Sequence, residues 1–147
     1  MKTLKNIDLY LGYLGLIPFI FLTVCLTYNY DFSIFGNNSK AICSYGLVIA
    51  SFLASTHWGR QMNLADPSKK LILTISSNIN VIAIWLAYLS LDAKTFVFVL
   101  AIEFLVLLKI DYYIYKAKLT EYRYFFCIRL PITTIVVILL GISWSVI

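Results

Sequence analysis

Residues 45–61, YGLVIASFLASTHWGRQ, decide how this chain reads. A long apolar run carries the only histidine, His57, and then Trp58, Gly59 and Arg60. At the helical turn per residue, Gly46, Ala50, Ala54 and His57 fall within roughly 80° of one another, a stripe of small side chains that lets a second helix approach closely. The stretch therefore reads as a packed helix with an imidazole on its inward face.

The rest of the chain repeats that character. Of 147 residues, 61% are hydrophobic, 16% aromatic and only 13% charged, against about a quarter charged in ordinary soluble domains. Too few charged residues remain to cover a water-soluble fold of this size. The net charge of +5 is spread between apolar runs, with no basic arm and no basic face interleaved with aromatics, which argues against a nucleic-acid partner. Cys25, Cys43 and Cys127 form neither a C-x-x-C pair nor a cysteine–histidine metal spacing, so no metal is expected and packing is their default role. Cys25 and Cys43 fall at similar depth in adjacent helices, which leaves a disulfide between them open. No haem attachment motif is present, and no cofactor is expected.

A bilayer core about 30 Å thick takes about 20 apolar residues of helix. Five such runs fit, over about 7–29, 39–60, 70–91, 94–115 and 124–146, separated by turn-rich segments. The expected fold is all-α: a polytopic integral membrane protein, a bundle of five transmembrane helices in one domain over 1–147. The basic start followed by an apolar run resembles a signal peptide, but the run is too long and lacks a small-x-small cleavage site, so it reads as a retained helix. Pro18 and Pro131 predict kinks in the first and fifth helices, and Pro67 falls in the loop before the third. In that third helix Ser76, Asn80, Ala83 and Ala87 align as an inward face.

Orientation follows from the loop cations. Lys2, Lys5, Arg60, Lys69, Lys70, Lys116, Lys118 and Arg123 fall on one side, and only Lys40 and Lys94 on the other. This asymmetry predicts a cytoplasmic N-terminus and an outside C-terminus. Tyrosines and tryptophans near the predicted helix ends fit interfacial belts. A bacterial inner membrane is the simplest address.

Ionisable side chains inside a bilayer are costly, and each needs a reason. His57, Asp111 and Arg129 each lie about one turn inside the same end of the second, fourth and fifth helices. They are expected to form a polar cluster, with Arg129 paired to Asp111 and His57 bonded to a backbone carbonyl. A ligand, lipid-headgroup or ion site at that level is the alternative, and a proton relay or general base the weakest reading. Deeper lie Glu103, Asn78 and Asn80, a midplane group in which Asn80 faces inward and is the expected partner of Glu103. Lys109 points away and can snorkel to the surface.

The segments YLGYLGLIPFI (10–20), YGLVIASFLASTHWG (45–59) and YFFCIRLPITTIVV (124–137), with Trp85 in the third helix and Asp111 near the end of the fourth, resemble the transmembrane protein 69-like family. These are small multi-pass proteins of bacteria and mitochondria that carry a domain of unknown function. The resemblance implies a five-helix membrane protein and marks Ser51, Phe52, His57, Trp58, Gly59, Asp111, Arg129 and Thr133 as matching motif positions, which adds Trp58, Ser51 and Thr133 to the expected structural or ligand-binding polar cluster of His57, Asp111 and Arg129. It implies no reaction. Asn80 stands where a family proline is expected.

Three classes of function follow. The first is a non-enzymatic accessory or scaffold protein, its partners being membrane lipids and another inner-membrane protein or a second copy of itself. A small oligomeric transporter, channel or proton-coupled carrier is the alternative. A lipid- or quinone-directed membrane enzyme has the least support, because no nucleophile–base pair is legible, and no catalytic residue is assigned.

Overall fold

A computed structural model of the chain describes residues 4–30, 37–62 and 64–147; the turn expected over 31–36 lies outside the described residues. All regular structure described is helical. The first rod is α1 (Leu4–Leu14) followed by α2 (Leu16–Thr27). Three unbroken helices follow: α3 (Asn38–Gln61), α4 (Pro67–Ser90) and α5 (Ala93–Lys116). The fifth rod is α6 (Tyr122–Tyr124), a π-helical turn (Phe125–Arg129) and α7 (Leu130–Val146).

Local chemistry sets the ends. Asn37 accepts from the amides of Ser39 and Lys40, and Asp66 from those of Ser68 and Lys69, each satisfying donors that a helix start leaves orphaned. Pro67 follows as the first helical residue, where its missing N–H costs nothing. It belongs to α4 and not to the loop, and it starts that helix three residues earlier than the apolar run implied. Asp92 caps α5 through the Thr95 hydroxyl and amide, and these bonds hold its carboxyl below the usual carboxylate range. At the other ends, Asn29 and Lys118 take positive φ, and the next amides, of Tyr30 and Leu119, reach back to Cys25 and Ile114. These are the left-handed caps that close a helix.

Pro18 and Pro131 each coincide with a local departure from the α-helical hydrogen-bond pattern. Pro18 cannot donate to the Leu14 carbonyl, and the first rod is interrupted at Gly15. Gly15 turns its own carbonyl to the hydroxyl of Tyr45 on α3 at 2.9 Å. Pro131 leaves the Cys127 carbonyl without its α-helical donor. Tyr13 of α1 supplies one at 3.2 Å, and the preceding turn widens to π geometry, with the Leu130 amide bonded to the Phe125 carbonyl.

Helices α2, α3, α5 and α7 pack in a closed ring, α2 against α3, α3 against α5, α5 against α7 and α7 against α2. Inside it, Phe19 meets Tyr45 and Phe104 edge-on at 5.0 and 6.0 Å between centroids. Thr23 and Ser143 share a hydrogen bond of 3.0 Å between α2 and α7. The stripe on α3 is buried as a unit: Gly46, Ala50, Ala54 and His57 all face the interior.

Helix α4 packs outside this ring on α3 and α5. Only 17% of its apolar window is buried, against 28–33% in the other three long apolar helices. Its inward residues are Leu73, Ser77 and Ile84, so the expected face is rotated: Asn80 and Ala87 sit at its edge, Ser76 is half-buried and Ala83 is exposed. The β-branched and leucine side chains opposite, among them Ile72, Ile75, Ile79 and Ile82, are exposed. Four rods are long and apolar enough to cross a membrane. α5 has the length, but Lys94, Glu103, Lys109, Asp111 and Lys116 give it more charge than the other four. It is nevertheless an interior helix, with Val97, Leu100, Leu107 and Ile114 fully buried.

Gly46 is where that packing is tightest, since a Cβ there would run into the Leu100 side chain, whereas one at Gly59 meets nothing within 4 Å. Gly46→Leu is expected to destabilise the bundle by about 1–3 kcal/mol through overpacking, while Gly59→Ala is neutral or stabilising by up to about 1 kcal/mol. Thermal unfolding of the two variants in mild detergent checks both. Equal effects would show that α3 and α5 do not pack at Gly46.

Candidate functional site

The polar cluster forms at one end of the ring. Asp111 of α5 is 2% exposed, and three cationic or protonatable side chains converge on it. Its Oδ1 lies 3.2 Å from His57 Nε2 and accepts from Arg60 Nη1 at 3.1 Å. Its Oδ2 accepts from Arg129 Nε at 2.5 Å. His57 and Arg60 are three residues apart on α3 and so reach the same oxygen from one helix face. Arg129 is the last residue of the π turn and arrives from the opposite side.

For Nε2 to bond an ionised carboxylate it must carry the proton, which fixes that tautomer in a neutral ring. The expected His57-to-carbonyl bond is therefore replaced by a bond to Asp111, and Nδ1 is buried without a partner. Arg60 is a further member of the cluster, one that its place near a helix end disguises. It counted as a loop cation, yet it bonds Asp111 and stacks over the Tyr124 ring at 4.5 Å, an arrangement that suits guanidinium better than ammonium. The readable signal was its position one turn after His57 on the same face.

An aromatic nest supports the Arg129 side of the cluster. Tyr115 stacks on Phe125 at 5.4 Å, Tyr122 on Phe126 at 4.5 Å, and Tyr112 lies 5.6 Å from Phe125. These contacts lock the π turn against the end of α5. The remaining expected site residues divide. Thr133 lies one turn beyond Arg129 on the same face, 1% exposed, with its hydroxyl unpartnered. Trp58 is exposed, and Ser51 is half-buried, its carbonyl accepting from Ser55; neither reaches the cluster.

The deeper group does not come together as expected. Asn78 is exposed and bonds the Thr74 carbonyl of its own helix. Asn80 Nδ2 and Glu103 Oε1 are each buried without a hydrogen-bond partner, so the expected Asn80–Glu103 bond is not formed. The cause is the rotation of α4, which turns Leu73, Ser77 and Ile84 inward and leaves Asn80 in a groove beside Val106 and Ile110. Cys25 and Cys43 are both free thiols; the Cys43 thiol points at the Ala93 carbonyl, 3.7 Å away.

Unequal burial makes the two arginines separable. Arg129→Leu is expected to cost about 3–5 kcal/mol, because it strands a buried carboxylate from its buried guanidinium partner. Arg60, a quarter exposed in its side chain, is worth about 1 kcal/mol or less on removal to leucine. Chemical or thermal unfolding in detergent separates these outcomes, and similar costs for both would mean that the buried arginine is not the dominant partner.

Neither curated proteins nor solved structures match the chain. The sequence pattern of one protein family does match, over residues 4–145. With nearly every residue of all five rods inside that match, the chain belongs to the family described as protein of unknown function, DUF3429.

Proposed function

We propose that this protein is a non-enzymatic accessory or scaffold protein of a bacterial inner membrane, spanning it five times with the N-terminus in the cytoplasm, and related to the transmembrane protein 69-like family. The observation that carries the reading is the saturation of Asp111. Both of its oxygens are engaged by side chains from α3 and the π turn, so the strongest polar group in the bundle serves to hold three segments together. A general base or proton carrier needs a lone pair within reach of a proton; the Asp111 oxygens are taken, and the lone pair left on the histidine, at Nδ1, is fully buried with no hydrogen-bonding partner to deliver or remove a proton.

Five spans require α5 to lie in the membrane as well. Its Asp111 is paired within the bundle, Lys94 and Lys116 sit at its two ends and the exposed Lys109 can snorkel, which leaves Glu103 as the ionisable side chain of this helix whose buried oxygen has no partner. The partner is expected on α4. Its outer face is exposed and apolar, and the groove between α4 and α5 carries the unpartnered Asn80 amide, a polar group that another helix can satisfy. The carrier reading takes its support from Glu103, whose buried oxygen lacks a partner. Leu107, fully buried, lies between Glu103 and Asp111 on the same side of α5 and interrupts any polar path along that helix.

Two experiments check this reading. On a background with the native cysteines replaced, Leu91→Cys is expected to react with an impermeant thiol reagent added to intact cells, and Ala65→Cys only after permeabilisation; the reverse pattern would overturn the orientation. A photo-crosslinking residue at Ile79, in native membranes, is expected to yield one discrete protein adduct, at twice the chain's mass if the partner is a second copy. Lipid adducts alone at that position would contradict a scaffold role through α4.

A further inference from the structure

A cavity of about 440 Å³ lies beside the Asp111 cluster, within the size range of small-molecule sites. Its long wall is apolar, formed by Leu16, Phe19, Ile49, Leu53, Ile132 and Val136. One end is polar, with Arg60, Arg129 and Thr133 in its lining. Two of these side chains hold buried donors that the protein itself does not use: Arg129 Nη2 and the Thr133 hydroxyl have no hydrogen-bond partner. They stand one turn apart on the same face of the fifth rod, at 4% and 1% residue exposure. Leaving a buried donor unsatisfied costs about 1–3 kcal/mol, so a site that keeps two of them beside an apolar pocket is made for an acceptor attached to an apolar body.

Charge identifies the acceptor. With the adjoining depression included, Arg60, Arg123 and Arg129 stand against the carboxylates of Asp111 and Glu121, which leaves surplus positive charge at this end whatever the state of His57. Guanidinium forks match carboxylate and phosphate oxygens. Shape identifies the body. From Arg60 to Ile49 along α3 is about 16 Å at the helical rise, so the apolar part runs from the polar end toward the middle of the bundle. The cavity also opens sideways. Leu11 and Phe52 line it and are 62% and 66% exposed, and α1, which rests on the π turn, makes little contact with α3. In a membrane that opening faces lipid tails. At its polar end, Arg60, Tyr124 and Ile128 are shared with a second depression that includes Thr120 and Glu121, which carries the site out to the helix ends.

We infer that this cavity binds the acyl chain of an amphiphile with an oxyanion head, the chain lying between α1, α2, α3 and α7 and the head resting on Arg129, Thr133 and Arg60. The head is a carboxylate, as in a free fatty acid, or a phosphodiester, as in an anionic phospholipid that inserts one of its chains. The inference is independent of the partner surface on α4.

The test uses the full chain, purified and delipidated in non-ionic detergent, with native mass spectrometry and thermal unfolding as readouts. The probes are palmitate, dipalmitoyl phosphatidylglycerol, hexadecanol, which has the tail without the charge, and inorganic phosphate, which has the charge without the tail. Palmitate or the phosphatidylglycerol is expected to form a one-to-one adduct and raise the unfolding temperature, at least about tenfold more tightly than hexadecanol or phosphate. Binding of palmitate alone identifies a fatty acid, of the phospholipid alone a lipid headgroup, and of both a site that reads only the shared chemistry. Ile49→Trp, which fills the apolar end, is expected to abolish binding. Arg60→Gln, at the more exposed cation, and Thr133→Val, which keeps the shape and removes the hydroxyl, should each weaken it by about three- to tenfold while leaving the unliganded unfolding temperature within a few degrees. Equal binding of hexadecanol and palmitate, unchanged affinity in both Arg60→Gln and Ile49→Trp, or no adduct with either charged amphiphile would overturn the proposal.

Discussion

Burying the Asp111 carboxylate in an apolar helix bundle costs several kcal/mol unless partners replace the water it loses, and much of the structure at this end follows from meeting that requirement. α3 must carry its small-residue stripe right up to His57 so that both His57 and Arg60 lie close enough to α5 to reach one oxygen. The fifth rod must bring Arg129 to the other. Tyr124 must lie under the Arg60 guanidinium, and the tyrosine and phenylalanine rings around Phe125 must brace the turn that delivers Arg129.

Pro131 connects this cluster to the first rod. It removes a backbone donor two residues after Arg129, the preceding turn widens, and the freed Cys127 carbonyl takes its hydrogen bond from Tyr13 of α1. One proline thus sets the register of Arg129 and gives α1 a polar anchor on the fifth rod. Because α1 is held there and not along α3, a gap remains between them. The apolar cavity occupies that gap, with the unused donors of Arg129 and Thr133 at its polar end. The opposite half of the bundle is built differently, mainly from the packing of Phe96, Leu100 and Leu140, with the Thr23–Ser143 and Asn38–Tyr30 hydrogen bonds and the Cys43 thiol at the Ala93 carbonyl among its polar contacts.

Most of the fold was legible because its signals are one-dimensional. Five apolar runs give five rods, and the 100° rule gives the Gly46–Ala50–Ala54–His57 stripe. Depth arithmetic was enough to set His57, Asp111 and Arg129 at one level, and the structure joins them. Arg60 escaped because counting loop cations assigns a charge to a side of the membrane and not to a partner. The π turn escaped because periodicity assumes a constant helical register, and Pro131 breaks it. The face of α4 was misjudged because a helix packed on two neighbours has little burial to constrain its rotation. There the small residues Ser76 and Ala83 mimic an inward stripe, whereas Leu73, Ser77 and Ile84 are the residues that face in. The Asn80–Glu103 bond depended on that misjudged face and is absent for the same reason.

The central claim is that Asp111 and Arg129 are energetically one unit. A double-mutant cycle of Asp111→Asn and Arg129→Leu, followed by reversible unfolding in mild detergent, measures that directly. If the carboxylate is the constraint around which this end of the bundle is arranged, the double variant is more stable than the sum of the single effects predicts, with a coupling energy of about 2 kcal/mol or more. Additivity to within about 0.5 kcal/mol would contradict it and would reduce the buried pair to two residues that happen to be neighbours.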